Sequence, residues 1–286
     1  MAQNPRFPRI SHRANSGHQM KLPTRVTIEL TNKCNRNCQG CPRHKSTYPQ
    51  GFMAEALYTH ILQQLPDSTV IVPFFRGESL VHPLFPEFME KLRRFKQVQL
   101  ASNGDYLTKA NGKAIQRSCS FFSLSLHEFK YPWNTNHGKF LRSIRNRRLE
   151  TQVSILESLI PTDKKKKFIN SWQKIVDRVR IYKEHSVKGF GDMPDEPKPI
   201  ESCKRPFAEL VSYWDGHVGL CCQDWDNRTQ LGDLNLASVE EVWHNQNYKE
   251  VRRLHRNGER GKVVSCADCC FSNKLYGELF MGSEHE

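Results

Sequence analysis

Ten cysteines stand in this 286-residue chain, and nine of them fall in two territories, residues 34–41 and 203–270, with Cys119 alone between them. Clustered thiolates in a reducing compartment bind metal or do redox chemistry more often than they pair as disulfides. The first territory reads TIELTNKCNRNCQGCPR and sets Cys34, Cys38 and Cys41 at C-x3-C-x2-C. Three thiolates on one short loop can grip three corners of an iron–sulfur cube. The fourth iron then keeps an open position, which a catalytic metal needs for its substrate. The alternative is a zinc site completed by a residue such as His44, although zinc sites usually pair cysteines as C-x2-C on two arms. The second territory holds Cys203, Cys221, Cys222, Cys266, Cys269 and Cys270. Side chains of adjacent residues diverge, so each neighbouring pair is expected to supply one ligand, giving four in all. Four thiolates saturate a cluster, which can then only pass electrons or hold structure, and the terminal C-x2-C is shared with zinc ribbons.

The elements that must position these thiols follow from short apolar runs alternating with amphipathic stretches. Strands are expected at Val26–Leu30, Thr69–Phe75, Val98–Ser102, Phe121–Leu126, Gln152–Leu156 and Val179–Tyr182. Helices are expected at Ala54–Leu65, Leu84–Phe95, Thr108–Gln116, Gly138–Arg148 and Asp163–Asp177. Strands alternating with helices of this length build a parallel sheet, and six repeats are too few to close an eight-stranded barrel. The expected class is therefore α/β, an open partial (β/α)6 barrel over residues 25–185. Its chemistry should sit on the loops at the carboxyl ends of the strands. Residues 186–202 are rich in proline and turn residues and read as a linker. Beyond them a small C-terminal α+β domain, residues 203–286, shows a hairpin about Asp215-Gly216 and a helix over Ser238–Arg256. Cys119, just before a buried strand, reads as core.

Composition excludes several classes. With 37% hydrophobic and 26% charged residues the chain is soluble and globular. No apolar run approaches the roughly 18 residues of a membrane span. Residues 1–24 are a basic arm without the apolar stretch of a secretory signal, so the expected location is cytoplasmic. The net charge of +13 is uneven. Residues 1–45 carry nine Lys or Arg against one acid, and residues 139–188 carry fourteen against five. Such asymmetry suggests an anionic partner: a phosphorylated substrate, an acidic redox protein or nucleic acid. The Lys164–Lys167 run also reads as an ordinary solvated helix face.

The stretch from Cys34 to Cys41 resembles the cluster loop of the radical S-adenosylmethionine (radical SAM) superfamily. The resemblance continues in register along the barrel. Phe75-Arg76-Gly77-Glu78-Ser79 after the second strand is similar to the family's Gly-Glu-Pro segment, with Ser79 in place of proline. Ala101-Ser102-Asn103-Gly104 is similar to its Thr-Asn-Gly after the third strand, and Ser123-Leu124-Ser125-Leu126 falls where a serine or aspartate faces the cofactor. The resemblance implies a 4Fe–4S cluster on Cys34, Cys38 and Cys41, with S-adenosylmethionine chelating the open iron. Gly77, Glu78, Ser102, Asn103 and Ser125 would be the cofactor-binding residues. Reduction of that pair cleaves the sulfonium bond to methionine and a 5′-deoxyadenosyl radical that takes a hydrogen atom from substrate. Arg36, Arg43 and Lys45 would compensate cluster charge, attract a reductant, or simply be solvated.

The C-terminal region resembles the SPASM and twitch auxiliary-cluster modules of the same superfamily. Cys203, Gly216, Cys221, Asp224, Leu231-Gly232-Asp233-Leu234 and the Ser238–Trp243 segment carry this likeness. Family spacing selects Cys203, Cys221, Cys266 and Cys269 as ligands of a second 4Fe–4S cluster. No cysteine follows Cys270 in this sequence, which favours the single-cluster twitch form. The implied activity is a two-electron oxidation of a small substrate, amino sugar-like, aminocyclitol-like or phosphorylated, with a flavodoxin- or ferredoxin-type electron donor. The rival within the class is a peptide-modifying maturase acting on a peptide substrate. A different class, a zinc-dependent nucleic-acid-binding protein, is invited only by the charge. Asp224, His127, Tyr182 and Arg180 are candidate acids, bases or anion clamps, an ordinary hydrogen-bonding role is the stronger expectation for each, and no general base is assigned.

Overall fold

The computed structural model describes residues 22–38, 41–133, 135–183, 203–267, 269 and 278–281. The expected linker and nearly all of the basic arm lie outside the described residues.

Six parallel strands form the body of the fold: β1 (Arg25–Ile28), β2 (Val70–Val72), β3 (Gln97–Ser102), β4 (Phe121–Ser125), β5 (Glu150–Leu156) and β6 (Arg178–Tyr182). Each lies beside its predecessor, and the helices α1 (Glu55–Gln63), α2 (Phe85–Lys91), α3 (Lys109–Ser118), α4 (Asn136–Ile144) and α5 (Lys165–Trp172) make the crossovers. This is the expected partial (β/α)6 barrel. Apolar residues, most of them β-branched, stand on alternate strand positions and pack under those helices. Val26 and Ile28, Phe122 and Leu124, Val153 and Ile155, and Val179 and Ile181 are all essentially inaccessible to water. Thr108 and Thr135 cap α3 and α4 by accepting from the Asn111 and Gly138 N–H groups, which fixes where those helices begin.

The opposite face of the sheet is polar. Register pairs Ser125 with Ser154 and Ser154 with Arg180, and one row lower Ser123 with Gln152. Ser125 and Ser154 share a 3.2 Å hydrogen bond, and Gln152 donates to Ser123 at 3.0 Å. A buried face of serine, glutamine and arginine does not drive folding. It is the lining expected of a site for a polar ligand.

The C-terminal segment extends the same sheet. β7 (Glu209–Ser212) pairs in parallel with β1, and β8 (His217–Gly219) and β9 (Gly232–Asp233) follow antiparallel. At the far edge β10 (Glu278–Met281) pairs antiparallel with β6, giving ten strands among the described residues. The hairpin turns at Asp215-Gly216, where Gly216 has φ of 95°, a conformation that suits glycine. The single helix expected over Ser238–Arg256 is instead two, α6 (Val239–Trp243) and α7 (Gln246–Arg256). Asn245 breaks it by taking a non-helical conformation and capping the Tyr248 N–H, while Ser238 and Glu241 close a capping box on α6. A last short helix, α8 (Val264–Ala267), carries Cys266.

Candidate active site

Cys34, Cys38 and Cys41 occupy the loop after β1, at the carboxyl end of the sheet, all three thiols partly exposed. Burial raises the Cys34 thiol above its ordinary range. Cys38 is raised by burial first and then by the negative potential of Cys41 and Cys34. Three thiols that repel one another as anions lack a counter-charge among themselves, and a cationic metal body supplies one. His44, the fourth ligand required by a zinc reading, places Nε2 3.2 Å from the Cys38 carbonyl oxygen. Among the described residues no three His, Cys, Asp or Glu side chains meet around a single ion.

The loop is held from three sides. Asn32 donates to Pro49 O at 2.8 Å and accepts from Gly51 N at 3.0 Å, while Thr31 donates to Gly51 O at 2.6 Å. Gly77 lies flat against the same loop. A Cβ there would overlap the carbonyl oxygens of Thr31 and Lys33, so only glycine allows this approach. Glu78 N then donates to Lys33 O at 2.9 Å.

The Glu78 carboxylate, 4% exposed, ties the second strand end to the third. It accepts from Leu80 N, Ser102 Oγ and Asn103 N at 3.1, 3.0 and 2.7 Å. Burial raises its pKa, and these bonds oppose the rise. Asn103 in turn donates to Asn35 Oδ1 at 2.8 Å and reaches Cys34 Sγ at 3.9 Å. Asp105 accepts from Asn35 and takes a two-pronged bond from Arg36, whose guanidinium holds the carboxyl below its usual range. Arg36 is therefore a lock on the cluster loop and not a free solvated charge. Gly77, Glu78, Ser102 and Asn103 converge beside Cys34, and Ser125 lies on the polar face with Ser154. Ser79 stands where the resembling segment has proline. Its hydroxyl, 1% exposed, donates to Pro73 O at 2.7 Å and takes over the restraint that proline would supply.

Sequence reasoning missed the charged pair below this loop. Arg76 donates to Glu29 through Nε at 2.7 Å and Nη2 at 2.5 Å, and to Trp225 O through Nη1. Its guanidinium lies 4.3 and 4.2 Å from the ring centres of Tyr48 and Tyr213. The available signal was an acid at the end of an apolar strand, where an unpaired carboxylate would be costly. His127 is by sequence a candidate acid, base or anion clamp. Its Nδ1 lies 3.4 Å from Cys38 Sγ, and burial lowers its pKa.

In the C-terminal module, Cys266 is pushed up to about 12 by burial first, then by Cys269 and Cys203. Cys221, raised far above its ordinary range by burial, also feels Cys266. Cys203, Cys221, Cys266 and Cys269 thus share one electrostatic neighbourhood. Cys222 stands beside Cys221 and raises its thiol further, while its own thiol, after burial, meets Arg205 and Glu209. Cys270 lies outside the described residues. Asp224 is 1% exposed and engaged by the N–H groups of Leu220, Arg228 and Thr229, an ordinary hydrogen-bonding role. It staples the loop after Cys221. Cys119 is buried and isolated, with burial raising its thiol beyond reach of ionisation, as expected of core.

Thiol-rich loops at the carboxyl ends of a parallel partial barrel, with a second thiol set on an appended module, define an iron–sulfur enzyme. The family profile of the SPASM iron–sulfur cluster-binding domain matches residues 203–270. The S-adenosyl-L-methionine-dependent 2-deoxy-scyllo-inosamine dehydrogenase of Niallia circulans is 25% identical over 264 residues, covering 87% of this chain and 93% of that protein. The antilisterial bacteriocin subtilosin biosynthesis protein AlbA of Bacillus subtilis (strain 168) is 26% identical over 118 residues, 38% of this chain and 26% of its own. Among solved structures, BtrN in complex with AdoMet and 2-DOIA superposes with a TM-score of 0.64 at 20% identity, covering 91% of this chain and 99% of that one. Streptococcus suis SuiB bound to precursor peptide SuiA gives a TM-score of 0.64 at 12% identity, over 81% and 67%. The chain is a radical SAM enzyme with a C-terminal SPASM-type auxiliary iron–sulfur module. Its cofactors are 4Fe–4S clusters and S-adenosylmethionine, and the two thiol sets fit them in donor chemistry. No helix among the described residues is long and apolar enough to cross a membrane.

Proposed function

We propose that this enzyme oxidises a hydroxyl group of a small aminocyclitol- or amino sugar-like substrate by two electrons. The observation that carries this reading is coverage. The Niallia circulans dehydrogenase is matched over 93% of its length, whereas the peptide-maturation protein AlbA is matched over 26%. When bound, the cluster at Cys34, Cys38 and Cys41 and S-adenosylmethionine supply a hydrogen-abstracting 5′-deoxyadenosyl radical.

The chain's own residues do the positioning. Gly77 lets the second strand end lie against the thiol loop, and Glu78 fixes Ser102 and Asn103 beside Cys34. Gly77, Glu78, Ser102 and Asn103 hold the methionine end of the cofactor, and Ser125 faces it from β4. The Ser125–Ser154–Arg180 row supplies hydrogen-bonding groups suited to a polyhydroxylated ring. Cys203, Cys221, Cys266 and Cys269 would hold the auxiliary cluster, in the single-cluster form, and it would supply an acceptor for the second electron. The electron donor is a flavodoxin- or ferredoxin-type protein.

Anaerobic incubation with dithionite and S-adenosylmethionine should release 5′-deoxyadenosine from wild type and none from Cys38→Ala. With 2-deoxy-scyllo-inosamine as the probe, a ketone should form in step with 5′-deoxyadenosine. Silence from both proteins overturns the reading, and turnover of a precursor peptide in place of the aminocyclitol transfers it to the maturases.

A further inference from the structure

The loop after β4 runs outward from the thiol site and carries an ordered array of rings and ammonium groups. It begins at His127, whose Nδ1 lies 3.4 Å from Cys38 Sγ. Phe129, Tyr131 and Trp133 follow on alternate positions. Each ring is met by a lysine from the segment around α5. Lys164 Nζ lies 5.9 Å from the Phe129 ring centre, Lys167 Nζ 5.5 Å from Tyr131, and Lys174 Nζ 5.7 Å from Trp133. These are cation–π distances. The rings are anchored from beneath, because Phe129 packs on Phe168 at 5.8 Å and Trp172 Nε1 donates to Lys130 O at 2.9 Å.

The array keeps its charge. Lys130 pairs with Glu128 and Lys165 with Glu157, but Lys164, Lys167 and Lys174 have no carboxylate within ion-pair distance among the described residues. All three are exposed, as is Lys166. Aromatic faces thus order three long side chains without neutralising them. A face merely kept in solution gains nothing from ordered lysines, whereas a face that meets an anionic surface does. The fold also divides the basic stretch of residues 139–188. Arg145, Arg147 and Arg148 lie between α4 and β5, at the amino end of the sheet, while Lys164–Lys167 follow β5 at the carboxyl end, with the thiol loop.

We propose that Lys164, Lys167 and Lys174, set on Phe129, Tyr131 and Trp133, form the docking surface for an acidic one-electron donor protein that reduces the cluster at Cys34, Cys38 and Cys41. The inference rests on the radical SAM reading and places the donor that the reading requires. Chain length bounds the separation. Lys130 is three residues from His127 and so within roughly 11 Å of it, and Trp133, six residues away, is within roughly 22 Å. Electron transfer falls steeply with distance, so a donor seated here approaches the thiol loop from its near side. In the transfer one electron leaves the donor's reduced prosthetic group and enters the cluster, and no bond is made or broken. Single-stranded nucleic acid is less suited, because it needs bare rings for base stacking. Phe129 and Tyr131 are half-buried under lysines, and only Trp133, 46% exposed, presents a free face.

The test is the Lys164→Glu/Lys167→Glu/Lys174→Glu variant of the reconstituted enzyme, driven either by dithionite or by a reduced flavodoxin. Dithionite-driven 5′-deoxyadenosine formation should match wild type. The flavodoxin-driven second-order rate should fall about 10- to 100-fold at low salt and converge with wild type at high salt. Binding of oxidised flavodoxin, read by interferometry without turnover, should weaken in parallel. Equal flavodoxin-driven rates and binding in both proteins overturn the proposal. So does a raised KM for substrate under dithionite, which would assign the array to an anionic substrate. A gel shift of mixed-sequence single-stranded RNA, lost in the variant while flavodoxin rates stay equal, overturns it in favour of nucleic acid. If wild type makes no 5′-deoxyadenosine even with dithionite, the radical SAM reading itself fails, and the proposal with it.

Discussion

Arg76 and Glu29 form a bidentate ion pair whose side chains are 1% and 0% exposed, between the barrel and the C-terminal module. Burial alone would depress the Arg76 guanidinium, but Glu29 outweighs it and the net shift is upward. Glu29 also accepts from Trp214 N, while Arg76 reaches Trp225 O, four residues past Cys221. The pair therefore joins the residue before Gly77 to the loop that follows an auxiliary-cluster thiol.

Arg76→Met should destabilise the protein by about 3–5 kcal/mol, because Glu29 is left buried and unpaired. The Glu29→Leu/Arg76→Met double variant should recover most of that loss. Urea midpoints of the anaerobically reconstituted proteins check both. A double variant no more stable than the single one would show that stacking on Tyr48 and Tyr213, not charge pairing, holds Arg76.

Gly77→Ala should lower iron content without unfolding the chain. The added methyl group meets backbone of residues 31–33, which cannot rotate away as a side chain would, so the thiol loop must shift. Reconstituted wild type should hold about eight irons, two cubes of four, and Gly77→Ala about four, retained in the C-terminal module. Iron analysis beside a far-ultraviolet circular dichroism spectrum separates this from general unfolding.

The barrel was legible because its strands are short apolar runs set between amphipathic helices, a pattern local to each segment. The thiol sets and the strand-end residues Gly77, Glu78, Ser102 and Asn103 were legible because their spacing is local too. Arg76–Glu29 was not, since its partners stand 47 residues apart and its aromatic walls come from Tyr48 and Tyr213. The break between α6 and α7 was hidden because Asn245 can sit in a helix or cap one, and packing decides. Residue type left Asp224 open between acid and ordinary hydrogen-bonding roles, and only three dimensions show its oxygens engaged by the N–H groups of Leu220, Arg228 and Thr229.

The Glu78 carboxyl gives stability a pH dependence of defined sign. Burial raises its pKa above the ordinary 4.5, so the folded chain holds that proton to higher pH than the unfolded chain does. This contribution is complete below 4.5 and is lost as pH rises through the raised folded value. Glu78→Gln removes the titration and loses one acceptor, at a cost of about 1–3 kcal/mol at the acid end. The gap between wild type and Glu78→Gln should therefore narrow as pH rises from about 4 to about 8, measured by urea unfolding. A gap that widens over that range would show a depressed carboxyl.

Cys221 and Cys222 are adjacent but should behave oppositely on substitution. Both thiols lie near Arg205, but Cys221 also feels Cys266, while Cys222 also feels Glu209 and Arg25. Consecutive side chains diverge, so one body of metal cannot engage both without rebuilding the loop that Asp224 staples. Cys221→Ser should leave about four irons and abolish the auxiliary spectroscopic signal, while still releasing 5′-deoxyadenosine under dithionite. Cys222→Ser should keep about eight irons and both electron paramagnetic resonance signals. Loss of the auxiliary signal from Cys222→Ser, with Cys221→Ser intact, would exchange the two assignments and require the loop at residues 220–229 to turn over on loading.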